Sequence, residues 1–430
     1  MSNHIEPKVG PTSGSQRIET LDILRGFAIL GILFMNIQDF STANIAYFNP
    51  AAYGNLEGLN KWVWILSHAF TDLKFMSLFA LLFGASIILL AEHAEQKGKS
   101  SLPYFLRRTF WLIVIGALHA YLIWRGDILF DYAICSLPLF FVRKWKPGTL
   151  ACAAFLLILV DALYMLKDGI SFPTWSAKSL ADSMSWWAPD QSRIAERIEV
   201  VRNGWIQQLF ERVPKAMNDQ YTFIMDIPYS NALRICGLML LGMALFKWGI
   251  LTGQRSHKFY GNLSLTGMGI GLPLVVAGIF DNFDAGWSLE NYVLLGRQYN
   301  YWGSLMMAGG YVGFIMLLHN SGHFKHLETG LAAIGRTALS NYLFQSIICT
   351  TIFYGYGFGL VGQIDRKGQV MIVMAILLAQ FLISSWWLRH FHFGPAEWLW
   401  RSLTYWRLQP MLKSTAKPIR GELIVSISKK

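Results

Sequence analysis

Long apolar runs alternate with short polar segments along most of this 430-residue chain. Ten of the runs approach the length a helix needs to cross a bilayer: 21–39, 69–90, 108–124, 127–143, 148–166, 230–250, 261–280, 301–319, 333–355 and 369–388. The third is short, so its helix is expected to begin earlier or to share a thin region with the fourth. The pattern predicts an all-α polytopic membrane protein with about ten transmembrane helices, built from residues 17–410. A disordered polar tail over 1–16 and a basic tail over 411–430 flank it, and no cleavable signal peptide is expected. Composition agrees: 53% of residues are hydrophobic and 15% charged, with 17 Trp, whereas a soluble domain carries roughly a quarter charged residues.

Charge then sets an orientation. Lys97, Lys99, Arg107 and Arg108 lie between the second and third runs, Arg143, Lys144 and Lys146 after the fourth, and Lys247, Arg255 and Lys258 after the sixth. Arg401, Arg407, Lys413, Lys417, Arg420, Lys429 and Lys430 follow the last. Simple alternation puts all of these on one side and Asp281, Asp284 and Glu290 on the other. Basic loops stay cytoplasmic, so both termini are expected inside and the 167–229 loop outside. The net charge of +11 then reflects this bias and attraction to anionic lipid; no nucleic-acid partner is needed. The 167–229 loop holds Trp175, Trp186, Trp187 and Trp205 and a helical-looking run from Arg193 to Phe210. It reads either as a surface loop anchored by Trp or as a lid over an outward-facing site. Cys135, Cys152, Cys236 and Cys349 show no metal spacing and read as packing residues; no metal is expected.

Polar residues inside spans are costly and normally face the bundle interior. Asp22 and Arg25, three apart, can pair at the mouth of the first span, and Asn36 lies near its far end. They read as a topology anchor or as the floor of a polar site. In 116–133, GALHAYLIWRGDILFDYA, His119 and Asp127 are either a proton-transfer pair or a His satisfied by a neighbouring carbonyl beside an Asp capping the fourth span. Eight residues separate them, about 12 Å along a continuous helix, so they meet only if the chain turns back near Gly126. His68 and Asp72, four apart and close to Lys74, form a second acid–base pair or a solvated helix start. In 334–346, IGRTALSNYLFQS, Arg336, Ser340, Asn341 and Gln345 form a stripe suited to cofactor phosphates or amides, or to hydrogen bonding between helices. In 391–405, FHFGPAEWLWRSLTY, Glu397 and Arg401 are expected to pair on an interfacial helix. No Gly-rich phosphate loop, zincin helix or nucleophile elbow is present, so any catalytic site lies within the bundle.

LDILRGFAILGILFMNI, FMSLFALLFGAS, GALHAYLIWRGDILFDYA, IGRTALSNYLFQS and FGPAEWLWRSLTY, in this order, resemble the bacterial YeiB-like membrane proteins. The first block is also similar to that of integral-membrane acetyltransferases of the heparan-alpha-glucosaminide N-acetyltransferase type. The resemblance implies a multi-pass protein of the bacterial inner membrane, in a transmembrane acyltransferase superfamily. Members take an acyl group from cytoplasmic acyl-CoA, here acetyl-CoA, and pass it to an extracytoplasmic glycan or related acceptor. It carries over Asp22, Arg25, Asn36, His119, Asp127, Arg336, Asn341 and Glu397. Some membrane acyltransferases have His where this chain has Asn36, so the base would be His119 or His68. Expected partners are membrane lipids, acyl-CoA and the acceptor, and a homodimer is compatible with the sequence. The rival class is a small-solute or proton-coupled transporter, since buried His, Asp and Arg also mark proton relays.

Overall fold

A computed structural model describes residues 17–227 and 231–413; the 1–16 tail and all but the start of the 411–430 tail lie outside the described residues. The first nine helices are α1 (Glu19–Thr42), α2 (Gly58–Phe70), α3 (Lys74–Glu95), α4 (Leu102–Leu122), α5 (Leu129–Val142), α6 (Pro147–Ser171), α7 (Ala177–Trp187), α8 (Gln191–Arg202) and α9 (Trp205–Met225). There follow α10 (Ala232–Lys247), α11 (His257–Asp284), α12 (Leu289–Asn291), α13 (Arg297–Ser321), α14 (Lys325–Arg336), α15 (Ala338–Phe353), α16 (Arg366–His390) and α17 (Pro395–Tyr405). No strand occurs among the described residues; Phe391 and Leu412 form an isolated bridge.

Ten of these helices, α1, α3, α4, α5, α6, α10, α11, α13, α15 and α16, match the ten predicted spans. Seven helical stretches are long and apolar enough to cross a membrane by themselves, and α5 and α15 are shorter apolar helices. Side chains such as Phe155, Leu156 and Leu163 of α6 and Met371, Leu378 and Leu382 of α16 point outward. Such an apolar belt around a closed helical bundle is what hydrocarbon permits, because each helix satisfies its own backbone. The chain is a polytopic membrane protein.

Three predicted boundaries need correction. The second span begins at Lys74 rather than at 69, because Leu73 adopts a left-handed conformation (φ 61°) that separates α2 from α3. The ninth divides at Thr337, so Arg336 ends α14 while Asn341 and Gln345 belong to α15. The run from Arg193 to Phe210 is also broken, at Asn203–Gly204 between α8 and α9. As anticipated, the third span starts early, at Leu102.

Most of α1 is buried, and α14, α3, α15 and α16 pack around it. It approaches α14 so closely that a Cβ on Gly26 would sit 1.9 Å from the Leu331 carbonyl oxygen, and one on Gly335 1.9 Å from that of Asp22. Small residues are what allow such backbone contact between membrane helices. Gly26→Val is therefore expected to cost at least about 1–3 kcal/mol from overpacking. A lowered melting temperature and reduced monodisperse yield in detergent would register it; wild-type values would show that the contact can relax.

Candidate functional site: two cavities on either side of a buried histidine

At the end of the bundle that gathers the basic loops, a cavity of about 210 Å³ opens among α1, α3, α4, α14, α15 and α17. Its lining includes Arg17, Asp22, Arg25, Arg108, Arg336, Glu397 and Arg401, above walls of Leu82, Phe83, Leu112 and Leu129. Asp22 is the hub of its mouth. One carboxylate oxygen accepts from Arg25 at 2.9 Å and from Arg17 at 3.3 Å, and the other pairs with the Arg17 Nε. This bears out the Asp22–Arg25 pair and places it beside Arg336, as the sequence suggested. Arg336 has no ion pair among the described residues, and its Nε is buried without a hydrogen-bond partner. Arg108 lies over the Trp400 ring at 4.8 Å and donates to Ser86 at 3.3 Å. Three guanidinium groups, those of Arg336, Arg108 and Arg401, therefore line this cavity with no carboxylate in ion-pair contact among the described residues. A phosphate-bearing ligand would satisfy them.

The expected Glu397–Arg401 pair does not form. Glu397 instead accepts from the Leu339 N–H at 2.6 Å, the Ser340 N–H at 3.2 Å and the Ser340 hydroxyl. The first N–H groups of a helix have no partner within it, and the positive end of the helix favours an anion; Glu397 supplies both needs at the start of α15. Arg401 lies over Phe393 at 4.8 Å. Burial raises the Glu397 pKa above the ordinary carboxyl range and lowers that of Arg401.

Asn341 and Gln345 do not reach the cavity. Asn341 donates to Ser384 (3.0 Å) and Thr337 (2.9 Å), and Gln345 to Gln380 (2.9 Å) and the Ile29 carbonyl (3.2 Å). They hold α15 to α16 and α1, the helix-bonding alternative of the sequence reading. Asn36 is half-buried and lines neither cavity described here.

His119 and Asp127 do meet. The 123–128 connection reverses the chain, and His119 Nδ1 lies 2.8 Å from Asp127 Oδ1. Asp127 Oδ2 accepts from the Phe130 N–H at 2.8 Å, so the carboxylate both caps α5 and orients the imidazole. Gly126 matters because a Cβ there would lie 2.3 Å from the Trp124 ring. Since the carboxylate accepts, Nδ1 carries the proton and Nε2 presents its lone pair. Nε2 is buried with no partner among the described residues. His119 itself lines neither cavity. Its ring centroid is 5.1 Å from that of Tyr342, which lines the basic-end cavity, and 6.2 Å from that of Trp124, which lines a second one.

That second cavity, about 630 Å³, opens at the opposite end of the bundle. Asp39 on its floor is seventeen residues along α1 from Asp22, about 25 Å of helix rise. The 167–229 segment, expected as a loop, builds the walls as α8 and α9. It is docked on the bundle: Trp205 donates to the Leu122 carbonyl (2.8 Å), Arg212 to those of Tyr121 (2.9 Å) and Leu122 (3.0 Å), and Trp187 is buried against the Trp287 carbonyl (2.9 Å). The Trp residues thus do more than anchor a surface loop: the segment is packed on the bundle and lines a cavity. Asp39 was missed by the sequence reading. One of its oxygens accepts from Trp124 Nε1 and the other is buried without a partner.

The His68–Asp72 pair also forms, at 3.1 Å, in a buried network. Asn300 donates to Asp72 at 2.7 Å, and Lys74 donates to Asn300 at 2.5 Å and to the His68 carbonyl at 2.8 Å. His68 stacks on Trp64 and lines neither cavity. Of the four cysteines, Cys135 and Cys349 are buried, Cys236 partly so, and Cys152 lies on the exposed surface, not in the packed interior expected of it.

Comparison with known proteins gives the family. Residues 245–407 match the family described as "Protein of unknown function (DUF418)". The chain is 34% identical over 425 residues to the uncharacterized protein YxaH of Bacillus subtilis, covering 94% of this chain and 98% of the relative. It is 31% identical over 405 residues to the uncharacterized protein YeiB of Escherichia coli, covering 94% of this chain and all of the relative. A 39.9 kDa uncharacterized protein of Bacillus acidopullulyticus is 26% identical over 404 residues. On this near full-length similarity, the chain belongs to the YeiB-like family.

Proposed function

We propose that this protein is a membrane acyltransferase, taking an acyl group from acyl-CoA at the basic end of the bundle and delivering it to an acceptor at the opposite end. The observation that carries this reading is the placement of the His119–Asp127 pair, one aromatic side chain away from each of two cavities that open on opposite faces. The donor's phosphates would bind Arg336, Arg108 and Arg401, with Arg25 held alongside by Asp22. The apolar walls below the mouth suit an acyl–pantetheine arm. Transfer breaks the thioester C–S bond and makes a C–O or C–N bond. His119 Nε2 takes the proton from the acceptor and returns it to the departing sulfur, while Asp127 stabilises the imidazolium. Acetyl-CoA supplied to proteoliposomes at the basic face, with acetyl label recovered on a molecule in the other compartment, tests the reading. Failure of acetyl-CoA to bind the purified protein would overturn it.

We place the basic end in the cytoplasm of a bacterial cell, with the protein in the inner membrane, on the distribution of Lys and Arg. A Lys97→Cys variant on a cysteine-free background should be shielded from an impermeant thiol reagent in intact cells and react after lysis. Labelling from outside would reverse the orientation.

The Lys74–Asn300–Asp72–His68 network favours a second reading, a proton-coupled transporter, because buried ionisable chains also relay protons. A solute gradient that builds in proteoliposomes without acetyl-CoA would select it.

A further inference from the structure

The outer cavity has a chemistry of its own. Arg125, Arg193, Arg197, Arg212 and Lys215 line it against Asp39, Glu196 and Glu211, five cations to three carboxylates. Lys215 is paired with Glu211 (3.0 Å) and Arg125 with Asp219 (3.2 Å), while Arg212 is spent on backbone carbonyls. Arg193 and Arg197 have no carboxylate in ion-pair contact among the described residues. Burial and the like charges of Arg125 and Arg193 hold the Arg197 pKa below its ordinary value, against the opposing pull of Glu196. Phe48 and Trp186, in edge-to-face contact at 6.0 Å, and Tyr354 also line the cavity. On the floor is the partnerless Asp39 oxygen, buried and able only to accept a hydrogen bond while ionised.

The wall itself is informative. Along α9, Ile206, Phe210, Met217, Tyr221 and Ile224 are exposed on the outside, while Gln208, Glu211, Arg212 and Lys215 face the cavity. This helix keeps its polar side inward and shows an apolar side outward, the arrangement of a wall standing between a wet cavity and lipid.

We propose that the outer cavity binds an anionic, hydroxyl-bearing ligand, with its phosphate or carboxylate on Arg193 and Arg197 and a hydroxyl donating to the free oxygen of Asp39. Such a group occurs both in soluble sugar phosphates and in phosphoglycerol lipid headgroups, and the test separates the two. The inference deepens the acyl-transfer reading by giving the acceptor a chemical class: the hydroxyl held by Asp39 is the one to be acylated, and its proton passes to His119 as above. Asp39 acts here by binding and orienting.

The experiment measures binding without any acyl donor, so that its failure and the failure of the acyl-transfer reading remain distinguishable. The full-length protein is reconstituted in phosphatidylcholine nanodiscs, and thermal stability is followed against glucose 6-phosphate with glucose as the neutral control. A parallel arm replaces part of the phosphatidylcholine with phosphatidylglycerol. Stabilisation by either anionic probe, absent with its neutral counterpart, is the expected result, and the arm in which it occurs identifies the source. Arg193→Gln with Arg197→Gln should weaken that binding at least on the order of tenfold, since hydrogen bonds to charged groups are the stronger kind. Both arginines lie on the surface helix α8, so the variant should fold; an unchanged melting temperature without probe checks this. Asp39→Leu should also weaken binding of the same probe, whereas Asp39→Asn, which keeps an acceptor oxygen, should weaken it less. Equal stabilisation by glucose and its phosphate, no response in either arm, or undiminished binding in the double variant would overturn the proposal.

Discussion

His119→Ala is expected to lower acyl transfer by about 10²–10⁴-fold, the range that positioned general acid–base groups contribute. Both side chains are buried, so the variant leaves a cavity and a carboxylate short of one partner, its melting temperature should fall, and turnover is read per folded molecule. Nδ1 of the imidazole has one partner, Asp127, and that carboxylate keeps its second hydrogen bond, to the Phe130 N–H, after truncation. Asp127→Asn should cost a comparable factor, because an amide whose oxygen still caps α5 turns its NH2 toward Nδ1, which must then accept and leaves the proton on Nε2. The measurement is single-turnover transfer from labelled acetyl-CoA in proteoliposomes. Full activity in His119→Ala would remove the base from the mechanism. If His68→Ala alone abolished turnover, the chemistry would move to the Asp72–Asn300–Lys74 network.

Arg336→Gln should raise the KM for acetyl-CoA about tenfold to a hundredfold while leaving kcat nearly unchanged. The guanidinium is placed at the cavity mouth, away from His119, and its Nε has no hydrogen bond to lose in the free protein. A hydrogen bond between charged groups contributes roughly 1.5–3 kcal/mol, which sets that factor. Because the interaction would be equal in ground and transition states, it belongs in KM. A variant with unchanged KM and depressed kcat would put Arg336 in the chemistry; unchanged values of both would take the donor phosphates elsewhere.

The membrane helices were legible because hydrocarbon tolerates few alternatives to a continuous apolar helix, and the ten runs carried that signature. The breaks were legible only where a residue announces them. Gly204 could have divided α8 from α9. Leu73 and Thr337 could not be singled out, since neither is a turn-forming residue. In the site, His119 and Asp127 were readable because the chain between them holds a turn. Asn341 and Gln345 were misplaced because a membrane helix has neighbours on several sides, and spacing alone does not say which face meets a cavity. Asp39 escaped notice as an ordinary polar residue near the end of a span. Its meaning depends on Trp124, 85 residues away.

The bond from Glu397 to the start of α15 has a consequence for how the protein is made. Helix α17 closes the basic-end cavity with Trp400, Arg401 and Tyr405, and Trp400 Nε1 donates to the Arg108 carbonyl at 2.9 Å. Helix α17 leaves the ribosome after every membrane helix has already emerged. The basic-end cavity is therefore closed only after the membrane helices have emerged. A protein stalled or cut before residue 395 would insert its helices yet leave the first N–H groups of α15 uncapped and the cavity roofless. Quality control that removes such fragments would have a specific exposed feature to recognise.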